Sequence, residues 1–157
     1  MMGSASELVR LLTGRKMRLA VAESCTGGLL AGEITSVAGS SLCFDRGFVT
    51  YSISAKSEML GIPSELIEKK GPVSELTAIL MAESARQLSG CQIACSVTGV
   101  AGPGSDSLGN PEGLVYIALS IEGYETEVER HCFVGDRQAI RAAAVNAAIE
   151  LMLKKIR

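Results

Sequence analysis

A chain of 157 residues can bury one core without disulfides or metals to staple it. Its hydrophobic fraction of 47% with only 4% aromatics points to a core of Ala, Val, Ile and Leu, and a net charge of −2 with both signs dispersed leaves no basic footprint for nucleic acid. Five scattered cysteines (Cys25, Cys43, Cys91, Cys95, Cys132) without a C-x-x-C pair, beside one histidine, argue against a metal site or a disulfide framework and suit reduced thiols in the cytoplasm. The first 16 residues lack a signal-peptide layout, and no apolar run approaches the about 20 residues that span a membrane. The expectation is one soluble domain over residues 1–157 that handles a small molecule.

Ser4 and Glu7 have capping-box spacing, and Leu8, Leu11 and Leu12 recur at helical steps, so a first helix should run to about Lys16. A short apolar strand, Leu19 to Ala22, then breaks into the polar turn Glu23-Ser-Cys-Thr-Gly-Gly28, followed by helical sequence from Leu29 to Val37. The small-residue loop Ala38-Gly-Ser-Ser41 leads through Phe44-Asp-Arg-Gly47 to a second strand, Phe48 to Tyr51. Ser52 to Leu60 reads as a helix closed by Gly61, and Pro63 opens another that runs out at Lys70.

Ser74 is the expected N-cap of a longer helix whose apolar side carries Leu76, Ile79, Leu80, Ala85 and Leu88. Ile93 to Thr98 is the next strand, ending in Gly99-Val-Ala-Gly-Pro-Gly104. Residues Ser105 to Glu112 read as a mobile polar loop. Strands Leu114–Ile121 and Glu125–Phe133 follow as a hairpin about Glu122-Gly-Tyr124, the second with the alternation of an edge strand. A last helix from Asp136 presents Ile140, Ala144, Ala147 and Leu151 on one side.

About five strands and five helices, alternating through the first two thirds, imply an α/β fold. We expect a three-layer α/β/α sandwich around a mixed, mainly parallel sheet that ends in an antiparallel hairpin. Ligands of open α/β sheets bind beyond the carboxyl ends of the strands, where the turn Ser24–Gly28 and the loop Gly99–Gly104 both fall. The alanine-rich last helix and the edge strand are surfaces where a second copy could dock, although the sequence does not specify an oligomeric state.

No Walker loop, G-x-S-x-G elbow or dinucleotide fingerprint is present, and catalysis through a histidine would depend on His131, which reads as a structural residue of a strand. A hydroxyl paired with lysine remains. Burial disfavours an ammonium and can convert lysine into a general base. Lys56, in the mostly uncharged stretch Tyr51-Ser-Ile-Ser-Ala-Lys56, is the best candidate, because Lys69, Lys70, Lys154 and Lys155 sit in charge clusters.

Seven blocks in order, Ala22-Glu-Ser-Cys-Thr-Gly-Gly28, Ala38-Gly-Ser-Ser41, Gly47-Phe-Val-Thr-Tyr-Ser52, Ala55-Lys56, Val73-Ser-Glu75, Thr98-Gly-Val-Ala-Gly-Pro-Gly104 and Gly135-Asp-Arg137, resemble the CinA C-terminal domain family. That resemblance implies metal-free and cofactor-free hydrolysis of nicotinamide mononucleotide to nicotinic acid mononucleotide and ammonia, in pyridine-nucleotide salvage. Carried over by position, it implies Ser41 as nucleophile, Lys56 as base and Tyr51 as a proton-relay or orienting hydroxyl; Ser24, at the end of the first strand, is the reserve nucleophile on the reading of the residues themselves.

Under the same resemblance, Ser24, Thr26, Gly27 and Gly28 would cradle the substrate phosphate with Arg137 and Arg141, while Thr98, Gly99 and Gly102 border the base or ribose. The alternatives are a non-catalytic nucleotide- or anion-binding relative and an amidase for another small carboxamide. Where the family commonly carries Lys-Pro-Val-Gly-Thr, this chain has Asn110-Pro-Glu-Gly-Leu114, and Glu112 would repel a phosphate that touched that loop.

Overall fold

The computed structural model describes residues 4–157, and Met1 to Gly3 lie outside them. The chain forms α1 (Ala5–Gly14), β1 (Leu19–Glu23), α2 (Leu29–Thr35), a 3-10 turn (Ser40–Leu42), β2 (Phe44–Val49), α3 (Ile53–Leu60), α4 (Ser64–Lys70), α5 (Glu75–Ser89), β3 (Ile93–Gly99), β4 (Leu114–Ile121), β5 (Glu127–Cys132) and α6 (Arg137–Ile156). The expected caps are in place: the Ser4, Ser74 and Asp136 side chains accept from the Glu7, Thr77 and Ala139 amides.

The strands make one sheet in the order β2-β1-β3-β4-β5. β1 pairs in parallel with β2 and β3, whereas β4 runs antiparallel to both β3 and β5, so β4 alone reverses the common direction. Alternation along β1 divides the core. Leu19 and Val21 face a cluster with α1, α2 and α6, while Ala20 and Ala22 face a cluster that includes Leu60, Ile67, Met81 and Ala85 from α3, α4 and α5. This is the expected three-layer sandwich around a mixed sheet.

Three sequence expectations change. β2 begins at Phe44 rather than Phe48, because a register irregularity between Leu19 and Ala20 brings Arg46 opposite Ala20 and lets the charged Asp45-Arg46 pair lie on an edge strand. In α5 the buried side is Thr77, Ala78, Met81, Ala82 and Ala85, while Leu88 is exposed. The sheet surface beneath it is lined by Ala20, Ala22, Ala94 and Ala118, so a helix with a small-residue side can approach more closely than one with a leucine ridge.

The segment read as a mobile loop is a hydrogen-bonded turn. Asp106 Oδ1 accepts from the Leu108 and Asn110 amides at 3.0 and 2.8 Å, and Asn110 Nδ2 donates to Oδ2 at 2.8 Å.

Candidate active site

β1, β2 and β3 end together at one rim of the sheet, and each delivers part of a cavity of about 320 Å³. β1 runs into Ser24 and Cys25, β2 runs through Thr50 and Tyr51 into α3 with Lys56, and β3 runs into Thr98 and the loop to Leu108; Arg137 joins from the start of α6.

Lys56 is 1% exposed, among the most buried large side chains of the protein. Its Nζ donates to Ser24 Oγ at 3.0 Å, to the Thr50 carbonyl at 2.9 Å and to the Tyr51 carbonyl at 3.2 Å. Burial, only partly offset by the neighbouring Cys25 sulfur, pulls its pKa from 10.5 down to about 8. Three acceptors satisfy the three N–H bonds of an ammonium. A neutral amine keeps two, which the two carbonyls accept, and its lone pair is then directed at Ser24. The thiol beside this serine is inert, since burial raises Cys25 to about 11.

Ser41 lies elsewhere. It is exposed in the 3-10 turn before β2, with its carbonyl accepting from Arg18 at 3.4 Å. Lys56 follows the opposite end of that six-residue strand, about 20 Å away at ordinary strand rise. The geometry therefore joins Lys56 to Ser24 and corrects the carry-over to Ser41. Blocks adjacent in sequence occupy opposite ends of β2, which strand polarity decides and motif order does not.

The proposed phosphate cradle is also revised. The Glu23 carboxylate, fully buried at the end of β1, accepts from the amides of Gly28 at 3.2 Å and Leu30 and Ala31 at 2.9 Å each. It fills the positive end of α2 from inside. Gly27 donates to the Ser24 carbonyl, and Thr26 is wholly buried with its hydroxyl unpartnered. Arg141 donates to the Cys25 and Thr26 carbonyls at 3.0 and 3.1 Å, pinning the turn instead of facing the cavity. Thr26, Gly27, Gly28 and Arg141 thus form the wall's support, not its lining.

Thr98, Gly99 and Gly102 do line the cavity, as expected, with the Thr98 hydroxyl donating to the Pro72 carbonyl at 2.7 Å. Arg137 stands at the mouth, where its guanidinium donates to the Gly102 carbonyl and, at 3.1 Å, to the Tyr51 hydroxyl. Tyr51 therefore serves the site twice, its carbonyl holding Lys56 and its hydroxyl meeting Arg137. His131 bonds Glu129 at 3.0 Å and stacks on Phe133 beside the sheet edge, outside this cavity. Among the described residues no group of three His, Cys, Asp or Glu side chains could hold a metal ion, and no helix is long and apolar enough to cross a membrane.

Sequence reasoning missed Glu23 and Thr50. The signal for Glu23 was a lone carboxylate at the end of the apolar strand Leu-Ala-Val-Ala, one turn ahead of a helix. Thr50 contributes through its backbone carbonyl, which side-chain identity does not announce.

Residues 2–156 match the CinA C-terminal domain family. A CinA-like protein of Syntrophus aciditrophicus is 47% identical over 146 residues, covering 92% of this chain but 34% of that protein, so the chain spans about a third of the length of such relatives. The crystal structure of a competence-damaged protein (CinA) superfamily protein from Klebsiella pneumoniae superposes with a TM-score of 0.93 at 35% identity, covering 97% of this chain and 94% of that one. The structure of a competence/damage inducible protein from Agrobacterium tumefaciens gives 0.90 at 39% identity, covering 99% and 97%. With the fold, its motifs and these likenesses in agreement, the chain belongs to the CinA C-terminal domain family.

Proposed function

We propose that this domain is an amidohydrolase that uses Ser24 as nucleophile and Lys56 as general base, and that its substrate is nicotinamide mononucleotide. The supporting observation is the buried Lys56 amine, held by two carbonyls and aimed at Ser24 Oγ from 3.0 Å. Burial keeps a useful fraction of it neutral near pH 7, as a base for serine requires.

As Ser24 Oγ attacks the carboxamide carbon, its proton passes to Lys56 Nζ and the carbonyl oxygen takes the negative charge. The amide of Cys25, a residue that lines the cavity, donates to no other backbone group and follows the nucleophile directly; it is the proposed oxyanion donor. Collapse of the tetrahedral adduct breaks the C–N bond, and the proton on Lys56 leaves with ammonia. Water then attacks the acyl-serine, delivering one proton to Lys56 and on to Ser24, and the nicotinic acid product departs. Arg137, at the mouth, is the proposed partner of the substrate phosphate.

The occupied end of α2 weighs against the rival reading of an anion-binding module built on the glycine turn, because Glu23 already takes that place. Ammonia release from nicotinamide mononucleotide tests the proposal: S24A and K56A should each lose at least about a thousandfold in kcat while S41A stays within about twofold of wild type. Activity retained in S24A, or lost in S41A, would overturn the nucleophile assignment.

A further inference from the structure

Gly102 and Gly104 line the cavity with positive φ angles of 86° and 79°, and each is engaged by a charged side chain. Arg137 donates to the Gly102 carbonyl, and Glu112 Oε1 accepts from the Gly104 amide at 3.1 Å. Glu112 also lies directly against Gly102, where an added β-carbon would stand 2.3 Å from Oε1 and 2.8 Å from Cγ. Carboxylate and guanidinium therefore meet the same residue from two sides, a separation on the order of the Debye length of about 8 Å at physiological salt. Their direct pairing is absent from the ion pairs of the described residues.

Glu112 itself stands behind the wall rather than in it. Asp106, the carboxylate that does line the cavity, has its oxygens taken up by Leu108 and Asn110, whereas Glu112 makes the single bond to Gly104. Glu112 is thus placed to act on Arg137 through the Gly102–Gly104 strap. Replacing it by glutamine keeps an acceptor for the Gly104 amide and removes only the charge.

We propose that Glu112 sets the charge selectivity of the cavity: it braces Gly102–Gly104 from behind and, as counter-charge to Arg137 across that strap, weakens the hold on phosphate-bearing ligands relative to uncharged ones. This rests on Arg137 facing the ligand's phosphate, and it does not require that the amide be hydrolysed. Glu112 is a positioning and specificity residue that touches no reacting atom.

The test is calorimetric binding of ribose 5-phosphate and of nicotinamide riboside to wild type, E112Q and E112A. E112Q should bind ribose 5-phosphate about two- to fivefold more tightly at low salt, the range of an exposed charge, with riboside affinity unchanged. The gain should largely vanish at about 0.5 M salt, where screening is strong. E112A, which also loses the brace, should weaken the riboside. A ribose 5-phosphate affinity that E112Q leaves unchanged or unmeasurable, a gain insensitive to salt, or an equal shift for both ligands overturns the proposal. Should nicotinamide mononucleotide resist hydrolysis while the salt-dependent shift appears, the deamidase reading fails and the role of Glu112 stands.

Discussion

Lys56 Nζ lies 3.0 Å from Ser24 Oγ, joining α3 to the end of β1 across 32 positions of sequence. The parallel pairing of β1 with β2 makes this contact possible, since both strands end at the same rim. Most consequences follow from one buried amine and the carbonyls that hold it.

The first concerns pH and rate. Only neutral Lys56 can take the serine proton, and its pKa is drawn down to about 8. We expect kcat/KM for ammonia release to rise about tenfold per pH unit through the acid range and to level off above about pH 8. A profile flat from about pH 6 to about pH 9 would contradict Lys56 as base.

The same shift couples to stability with a definite sign. Burial depresses the folded-state pKa to about 8 against 10.5 for the free group, so between these values the unfolded chain binds the extra proton and folding stability rises with pH. Below about 8 the penalty of the buried charge is present in full. Relative to K56M, the wild type should therefore gain up to roughly 3 kcal/mol in chemical denaturation as pH rises through this window, and nothing below about pH 7. A wild-type advantage growing toward acid would show the sign to be wrong.

Glu23 closes the start of α2 with three amide bonds and is fully buried. E23A should cost about 3 kcal/mol in urea unfolding because it strands those donors, and E23Q, which retains one acceptor, should cost less. Both should lower kcat more than they raise KM, since the turn they loosen carries Ser24 and the proposed oxyanion donor. Equal stability of all three proteins would remove Glu23 from the architecture of the site.

Arg137 bonds Gly102 and Tyr51 at the cavity mouth and, on the proposed reading, meets the phosphate. R137A should raise KM for nicotinamide mononucleotide about tenfold or more with kcat within about threefold, the pattern of lost ground-state binding. A fall confined to kcat would instead place Arg137 in the chemistry.

Gly113 has φ of +91°, and an added β-carbon would lie 2.0 Å from the Phe133 carbonyl oxygen. Gly39 has a similar φ of +88° with nothing within 4 Å of the same position. G113A should lose at least about 3 kcal/mol, while G39A should lose only the backbone term of about 1–2 kcal/mol. Comparable melting temperatures would show that the β4–β5 entrance can relax around the clash.

How much of this was readable beforehand follows from the range of each interaction. Caps at Ser4, Ser74 and Asp136, the glycine stops and the half-wet patterning of β5 are set by neighbours within a few residues, and the order of elements constrains the layers because crossovers between parallel strands must cover both sides of the sheet. Lys56 was legible as well, since an uncharged neighbourhood in sequence foretold burial. The buried side of α5 was not, because the sheet's alanines, distant in sequence, decided which stripe could pack closest.

The turn from Glu23 to Gly28 shows the division most clearly. Its composition marks a strand passing into a helix whose amides want an anion, and that much is local chemistry. Whether the anion is a ligand or the protein's own Glu23, and whether Lys56 finds Ser24 or Ser41, depends on strand direction and register. Those are properties of paired strands, and they exist only once the sheet has formed.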